Sequence, residues 1–181
     1  MRVIAGIARG HKLQTIEGLE TRPTADRVKL SLFNILAFSL ADVHVLDLFA
    51  GSGALAIEAL SRGAKCAVCV DQSTSAIDII KKNLAHTKMT HKAVVVCDAY
   101  ERFIEGYLGE PFDLIFLDPP YGQQLVERVL EQVMTKKCLA QGGQIVVESD
   151  HTDVLTILPP FVIVKQKKYG RACLTFIKQE E

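Results

Sequence analysis

The sequence predicts an α/β fold built on a mostly parallel, seven-stranded sheet. Three observations predict it. Apolar runs at 43–49, 66–70, 93–97, 112–117 and 144–147 alternate with helically patterned segments at 53–62, 74–86, 99–108 and 123–138. That alternation means βαβ units with right-handed crossovers. The runs are nearly continuous in apolar residues, as strands covered on both faces should be. The last two runs, 161–165 and 172–177, are separated only by Gln166 to Arg171. A parallel crossover needs a dozen or more residues, so this pair must close the sheet as an antiparallel hairpin.

The N-terminal region reads differently. Residues 1–16 alternate short apolar and basic stretches around Gly10-His11, which predicts a small β-hairpin. Gly18 to Arg22 forms a loop. Thr24 is placed as the N-cap of a helix, with Asp26 in its first turn where the macrodipole favours an acid. Val28, Leu32, Ile35 and Leu36 then recur at helical spacing. Residues 1–40 thus form an extension, and 41–181 the main domain.

Composition narrows the function classes. A chain of 181 residues that is 49% hydrophobic supports one sizeable core. No apolar stretch approaches the roughly 20 residues of a membrane helix, and the N-terminus lacks a signal-peptide core, so a cytoplasmic protein is expected. The five cysteines have no framework spacing. Cys66 and Cys69 fall in one strand, where positions three apart face opposite sides, so no metal is expected. Net charge is zero but unevenly spread: residues 1–29 carry +3, residues 161–181 carry +3, and the middle carries −6. Basic ends on an acidic middle suit a nucleic-acid partner.

The candidate site lies at the ends of the predicted strands. Asp47-Leu48-Phe49-Ala50-Gly51-Ser52-Gly53 closes the first strand and opens a helix. Gly51 and Gly53 let the backbone approach a ligand closely. Asp47 would repel a pyrophosphate there but suits the ammonium of S-adenosylmethionine. Asp71, followed by Gln72, suits a ribose diol, and Asp98, followed by Ala99, can accept from an adenine amine. Phe49, Ala50, Gly51, Gly53 and Asp118 complete the expected cofactor set. Asp118 is the fourth acid placed at a strand end, the edge where open α/β sheets bind ligands.

Asp118 also begins Asp118-Pro119-Pro120-Tyr121. A sequence of this type can hold an exocyclic amine beside a methyl donor. The Asp118 carboxylate and the Pro119 carbonyl accept from the amine and aim its lone pair. Proline fixes φ near −65° and removes a competing N–H. Pro120 stiffens the turn, and Tyr121 offers a flat face for a base.

Together these features resemble the class I amino-methyltransferases. Arg22-Pro23-Thr24-Ala25-Asp26-Arg27-Val28-Lys29 and the stretch Asp47 to Ala64 are similar to the bacterial 16S ribosomal RNA guanine-N2 methyltransferase family. The resemblance implies a Rossmann-like class I methyltransferase domain. It implies transfer from S-adenosylmethionine to the N2 amine of one guanine in 16S rRNA. The implied substrate is an assembling 30S subunit, with ribosomal proteins helping a neutral, monomeric enzyme. Ala56, where many relatives carry glycine, and the neutral charge depart from the family pattern.

Arg2, Arg9, Lys12, Arg22, Thr24, Arg27 and Lys29 are the expected RNA contacts, with Lys165, Lys167, Lys168 and Arg171 as weaker candidates. A DNA adenine-N6 methyltransferase shares D-P-P-Y, although only about 40 residues precede the main domain. A non-catalytic nucleic-acid-binding module and a nicotinamide oxidoreductase also fit parts of the pattern.

Overall fold

The computed structural model describes residues 1–15, 23–37, 39–119 and 125–180, with backbone alone for residues 23–25. The elements are α1 (Pro23–Ile35), β1 (His44–Asp47), α2 (Ala54–Ser61), β2 (Cys66–Asp71), α3 (Thr74–His86) and β3 (Ala93–Cys97). Then follow α4 (Tyr100–Gly106), β4 (Phe112–Leu117), α5 (Leu125–Thr135), β5 (Leu139–Asp150), β6 (Phe161–Tyr169) and β7 (Ala172–Gln179). One sheet holds all seven strands in the order β3-β2-β1-β4-β5-β7-β6. Strands β1 to β5 pair in parallel, and β7 runs antiparallel between β5 and β6. The expected mixed sheet with its antiparallel closure is therefore present.

Alternation along the strands divides the core into two layers. Val45, Leu114, Phe116 and Val146 face α1, α2 and α3. Leu46, Ile115, Leu117, Ile145 and Val147 face α4 and α5. The N-terminal residues Val3, Ala8 and Leu13 join the first layer, as do Val28, Leu32 and Phe33 of α1 and Leu36 just after it. Among the described residues, no helix is long and apolar enough to cross a membrane.

Four local expectations need correction. The N-terminal hairpin is reduced to one antiparallel bridge, Arg2 with Lys12. The helix begins at Pro23, so Thr24 is its second residue and not its cap. Proline at the first helical position loses no hydrogen bond, which makes it a good start. β5 begins five residues early, at Leu139, with a register shift against β4 across Gly142-Gly143. The final hairpin turns in two residues, Gly170 and Arg171, because Gln166-Lys167-Lys168-Tyr169 continues β6. That polar stretch reads as loop but forms an edge strand, where lysines are solvated and discourage pairing with another chain.

A buried charge cluster anchors the N-terminal segment. Glu58 of α2 is fully buried and accepts from the backbone N–H groups of Ile4 at 2.8 Å and Ala5 at 3.0 Å. Arg62 Nε donates to the same carboxylate at 2.8 Å, and Lys29 Nζ lies 3.4 Å from it. Lys29 also donates to the Arg2 carbonyl at 2.6 Å. Burial lowers the Lys29 pKa from its ordinary value, and the Glu58 charge opposes that shift. A buried cation left without its partner is costly, so Glu58→Ala should destabilise the protein by about 3–5 kcal/mol. Urea unfolding followed by circular dichroism reads this directly.

Candidate functional site

The parallel sheet delivers the strand ends to one edge. In spatial order, β3, β2, β1 and β4 bring Asp98, Asp71, Asp47 and Asp118 there. The chain reverses its winding between β1 and β4, which opens a crevice at that point. All four acids expected from the sequence therefore line one edge, with Asp47 and Asp118 flanking the crevice.

The turn after β1 is shaped by hydrogen bonds from both neighbouring strands. Leu48 N–H donates to the Phe116 carbonyl and Ala50 N–H to the Val70 carbonyl. Gly51 and Gly53 have φ of +53° and +74°, which suits residues without a Cβ. A Cβ on Gly51 would meet no atom within 4 Å, so this face of the turn is open to a ligand. At Gly53 the space is taken, because a Cβ would sit 3.3 Å from Ile80 Cγ2. Phe49 packs its ring against Tyr100 at 5.4 Å.

Asp47 is only 1% exposed. Its Oδ2 accepts from the Ala56 N–H in the first turn of α2 at 3.2 Å, and its Oδ1 is buried with no partner. Burial pushes its carboxyl up to about 7, with smaller contributions from the charges of Asp118 and Asp71. A buried, unpartnered carboxylate oxygen beside an open glycine turn fits the ammonium of S-adenosylmethionine.

The other acids are already partly engaged. Asp71 accepts from the Gly51 N–H at 2.9 Å through Oδ2 and from the Ser73 N–H at 2.8 Å through Oδ1. It therefore braces the glycine turn, with lone pairs left for ribose hydroxyls. Gln72 beside it is exposed. Asp98 accepts from Arg102 Nε at 2.6 Å and from the Ala99 N–H at 2.8 Å. The Arg102 hydrogen bond holds its carboxyl below the ordinary range.

Asp118 remains in contact with solvent although protein surrounds it, as a group lining a concavity does. That surrounding raises its carboxyl to about 6, yet water still reaches it and supports the ionised form. Pro119 is buried. Pro120 and Tyr121 lie outside the described residues, as does Arg22.

Two residues at this edge escaped the sequence reading. Glu148 follows the apolar run of β5, so the rule that found the other four acids also applied to it. Asn83 is buried on α3 and bridges two segments: its amide donates to the carbonyls of Gln14 and Ser52, both at 2.9 Å, and its oxygen accepts from the Gln14 N–H at 2.8 Å. It ties the N-terminal segment to the glycine turn. A lone asparagine in a helical pattern gives no signal for this.

Arg2, Arg9, Lys12 and Arg27 are exposed. Lys29 is not: it is 3% exposed and paired with Glu58, so its placement among the RNA contacts is corrected. For Thr24 only the backbone is described. Among the described residues, no group of three His, Cys, Asp or Glu side chains is arranged to hold a metal.

Known proteins are similar to this chain along nearly its whole length. The family model described as Conserved hypothetical protein 95 matches residues 1–178. A Bacillus subtilis protein carrying the name of an rRNA methyltransferase, YlbH, is 36% identical, and the match covers 99% of each chain. The Ribosomal RNA small subunit methyltransferase D of Escherichia coli is 34% identical over 99% of this chain and 90% of its own. A solved Escherichia coli structure described as a methyltransferase, yhhF, superposes with a TM-score of 0.87 at 34% identity, covering 99% of this chain and 98% of its own. The chain therefore belongs to the Conserved hypothetical protein 95 family, alongside these full-length relatives.

Proposed function

We propose that this protein transfers a methyl group from S-adenosylmethionine to the N2 amine of a guanine in 16S rRNA of an assembling small ribosomal subunit. The observation that carries this reading is the placement of Asp118 beside the winding reversal, next to the buried Asp47, whose Oδ1 has no partner. The names of the full-length relatives support an rRNA substrate.

Asp47 takes the cofactor's ammonium, Asp71 and Gln72 its ribose, and Asp98 and Ala99 its adenine. The chemistry supplied by bound S-adenosylmethionine is a methyl group on a cationic sulfur, open to direct displacement. The target guanine leaves its stack to enter the crevice, as bases do for chemistry on their edges. Asp118 and the Pro119 carbonyl accept from the amine and direct its lone pair at the methyl carbon. Tyr121 stacks on the base. The methylated nitrogen then loses its proton to water, so positioning and electrostatics carry the catalysis.

Arg2, Arg9, Lys12 and Arg27 of the 1–40 extension, with Arg22, contact the RNA backbone. Lys165, Lys167 and Lys168 are exposed on the edge strand β6. Lys167 pairs with Leu174, which pairs with Glu148, so it stands level with the acidic edge and can meet a phosphate there.

The test uses small subunits from cells lacking this protein, incubated with the purified protein and radiolabelled S-adenosylmethionine. Digestion of the RNA should yield label in N2-methylguanosine. Label in N6-methyladenosine would overturn the reading and favour an adenine-N6 enzyme.

Asp118→Ala should lower turnover by roughly 100- to 1,000-fold, the scale of losing one preorganised polar contact to the reacting centre. Its cofactor affinity, measured by calorimetry with S-adenosylhomocysteine, should change far less.

Asp47→Asn tests the cofactor side. The amide oxygen can still accept from the Ala56 N–H, so the fold should persist. Losing the charge partner of the ammonium should weaken cofactor binding by about 10- to 100-fold. The sign of the stability effect follows from the raised pKa. A carboxyl raised to about 7 on folding stabilises the protein fully below its unfolded value near 4, and that contribution is lost as pH rises towards 7. The ligand-free variant should therefore melt no lower than the parent at pH 8, and its disadvantage, if any, should appear only at acid pH. Thermal scans across pH 4 to 8 check this.

A further inference from the structure

We propose that Glu148 is a specificity-determining residue that reads the Watson–Crick edge of the target guanine beside the amine held at Asp118. The inference rests on the guanine-N2 reading above and names the group that distinguishes this base.

β4 and β5 pair in parallel with Phe116 opposite Val146 and Leu117 opposite Val147. The next pair in that register is Asp118 with Glu148. Neighbouring strands lie about 4.8 Å apart and paired residues share a face, so the two carboxyl groups stand side by side. Across β5, Glu148 pairs with Leu174, which is fully buried in the layer that also holds Phe116 and Val146. Asp47 pairs with Phe116 on the other side of β4 and points to that same layer, where it meets Ala56 of α2. Asp118 and Glu148 thus stand level across β4 and β5, and Asp47 lies on the same face two residues back, level with Phe116 and Val146.

This face has a direction. The unpartnered Oδ1 of Asp47 and the open glycine turn mark the cofactor end. Asp118 occupies the middle, where the amine must sit. The remainder of the base edge then extends towards Glu148. Glu148 is half-buried, and no hydrogen bond or ion pair engages its side chain among the described residues. Burial and the Asp118 charge hold its carboxyl above the ordinary range, so it favours the protonated form.

A neutral carboxylic acid matches guanine at this position. Its carbonyl oxygen accepts from guanine N1–H, and its O–H donates to guanine O6. Adenine presents an acceptor at N1 and has no oxygen at C6. With the reacting amine at Asp118, adenine therefore cannot satisfy the same pair. This is a positive reading of guanine that the Asp118-Pro119-Pro120-Tyr121 turn by itself does not provide.

The test compares particles reconstituted with guanine or 2-aminopurine at the nucleotide labelled by the parent protein. 2-Aminopurine keeps the reacting amine but lacks N1–H and O6. The parent should prefer guanine by about tenfold to a hundredfold in kcat/KM, the scale of one bidentate base contact. Glu148→Ala should lose that preference, chiefly through a slower reaction with guanine. Glu148→Gln should keep most of it, because the amide presents the same acceptor and donor pair. Calorimetry with S-adenosylhomocysteine confirms that both variants retain the fold and the cofactor side.

A Glu148→Ala protein that still prefers guanine as strongly as the parent overturns the assignment. If that variant does not fold, a Glu148→Gln protein without the preference overturns it instead. The two proposals fail separately. Parent label in adenine removes the guanine reading, whereas N2-methylguanosine with no effect of Glu148 substitution removes only the present inference.

Discussion

Parallel neighbours cannot be joined by a tight turn, so each passage between strands β1 to β5 carries a helix over the sheet. Every one of these strands consequently ends at the same edge. From that geometry the candidate site follows. Asp47, Asp71, Asp98, Asp118 and Glu148 are far apart in the chain yet become neighbours through the strand order β3-β2-β1-β4-β5. The reversal between β1 and β4 decides where along this row a ligand can enter.

Bringing acids together in a partly dry edge has an electrostatic cost. The protein manages it unequally. Asp98 gains Arg102 and the Ala99 N–H, and its carboxyl is held low. Asp71 is absorbed into bracing the glycine turn. Asp47, Asp118 and Glu148 are raised instead, chiefly by burial. The engaged acids shape the site. The raised ones hold the capacity for a cation, an amine or a second base contact. A cationic cofactor would relieve part of the repulsion among them, so binding and electrostatic relaxation favour one another.

The extension is tied to this edge by buried polar groups as well as by apolar packing. Glu58 gathers Ile4, Ala5, Arg62 and Lys29, while Asn83 connects Gln14 to Ser52 in the cofactor turn. The exposed cations Arg2, Arg9 and Lys12 are thereby carried on a segment whose backbone is held against α2 and α3. Lys29 shows how burial reverses a residue's role. It counts as positive charge in the sequence but serves inside as the partner of Glu58.

Local physics made much of this protein readable from its sequence. Continuous apolar runs marked the doubly covered strands, helical spacing marked α1 to α5, and an acid after each of four runs marked the ligand edge. Those signals arise between residues close in the chain, where periodicity and turn chemistry act. The tertiary structure alone decided the rest. β6 became a strand despite its lysines because β7 supplied hydrogen bonds along its length. Lys29 turned inward because Glu58 met it from another helix. Glu148 came to stand beside Asp118 because the β4–β5 register aligned them. Register, burial and charge pairing depend on distant parts of the chain, so no local pattern could specify them.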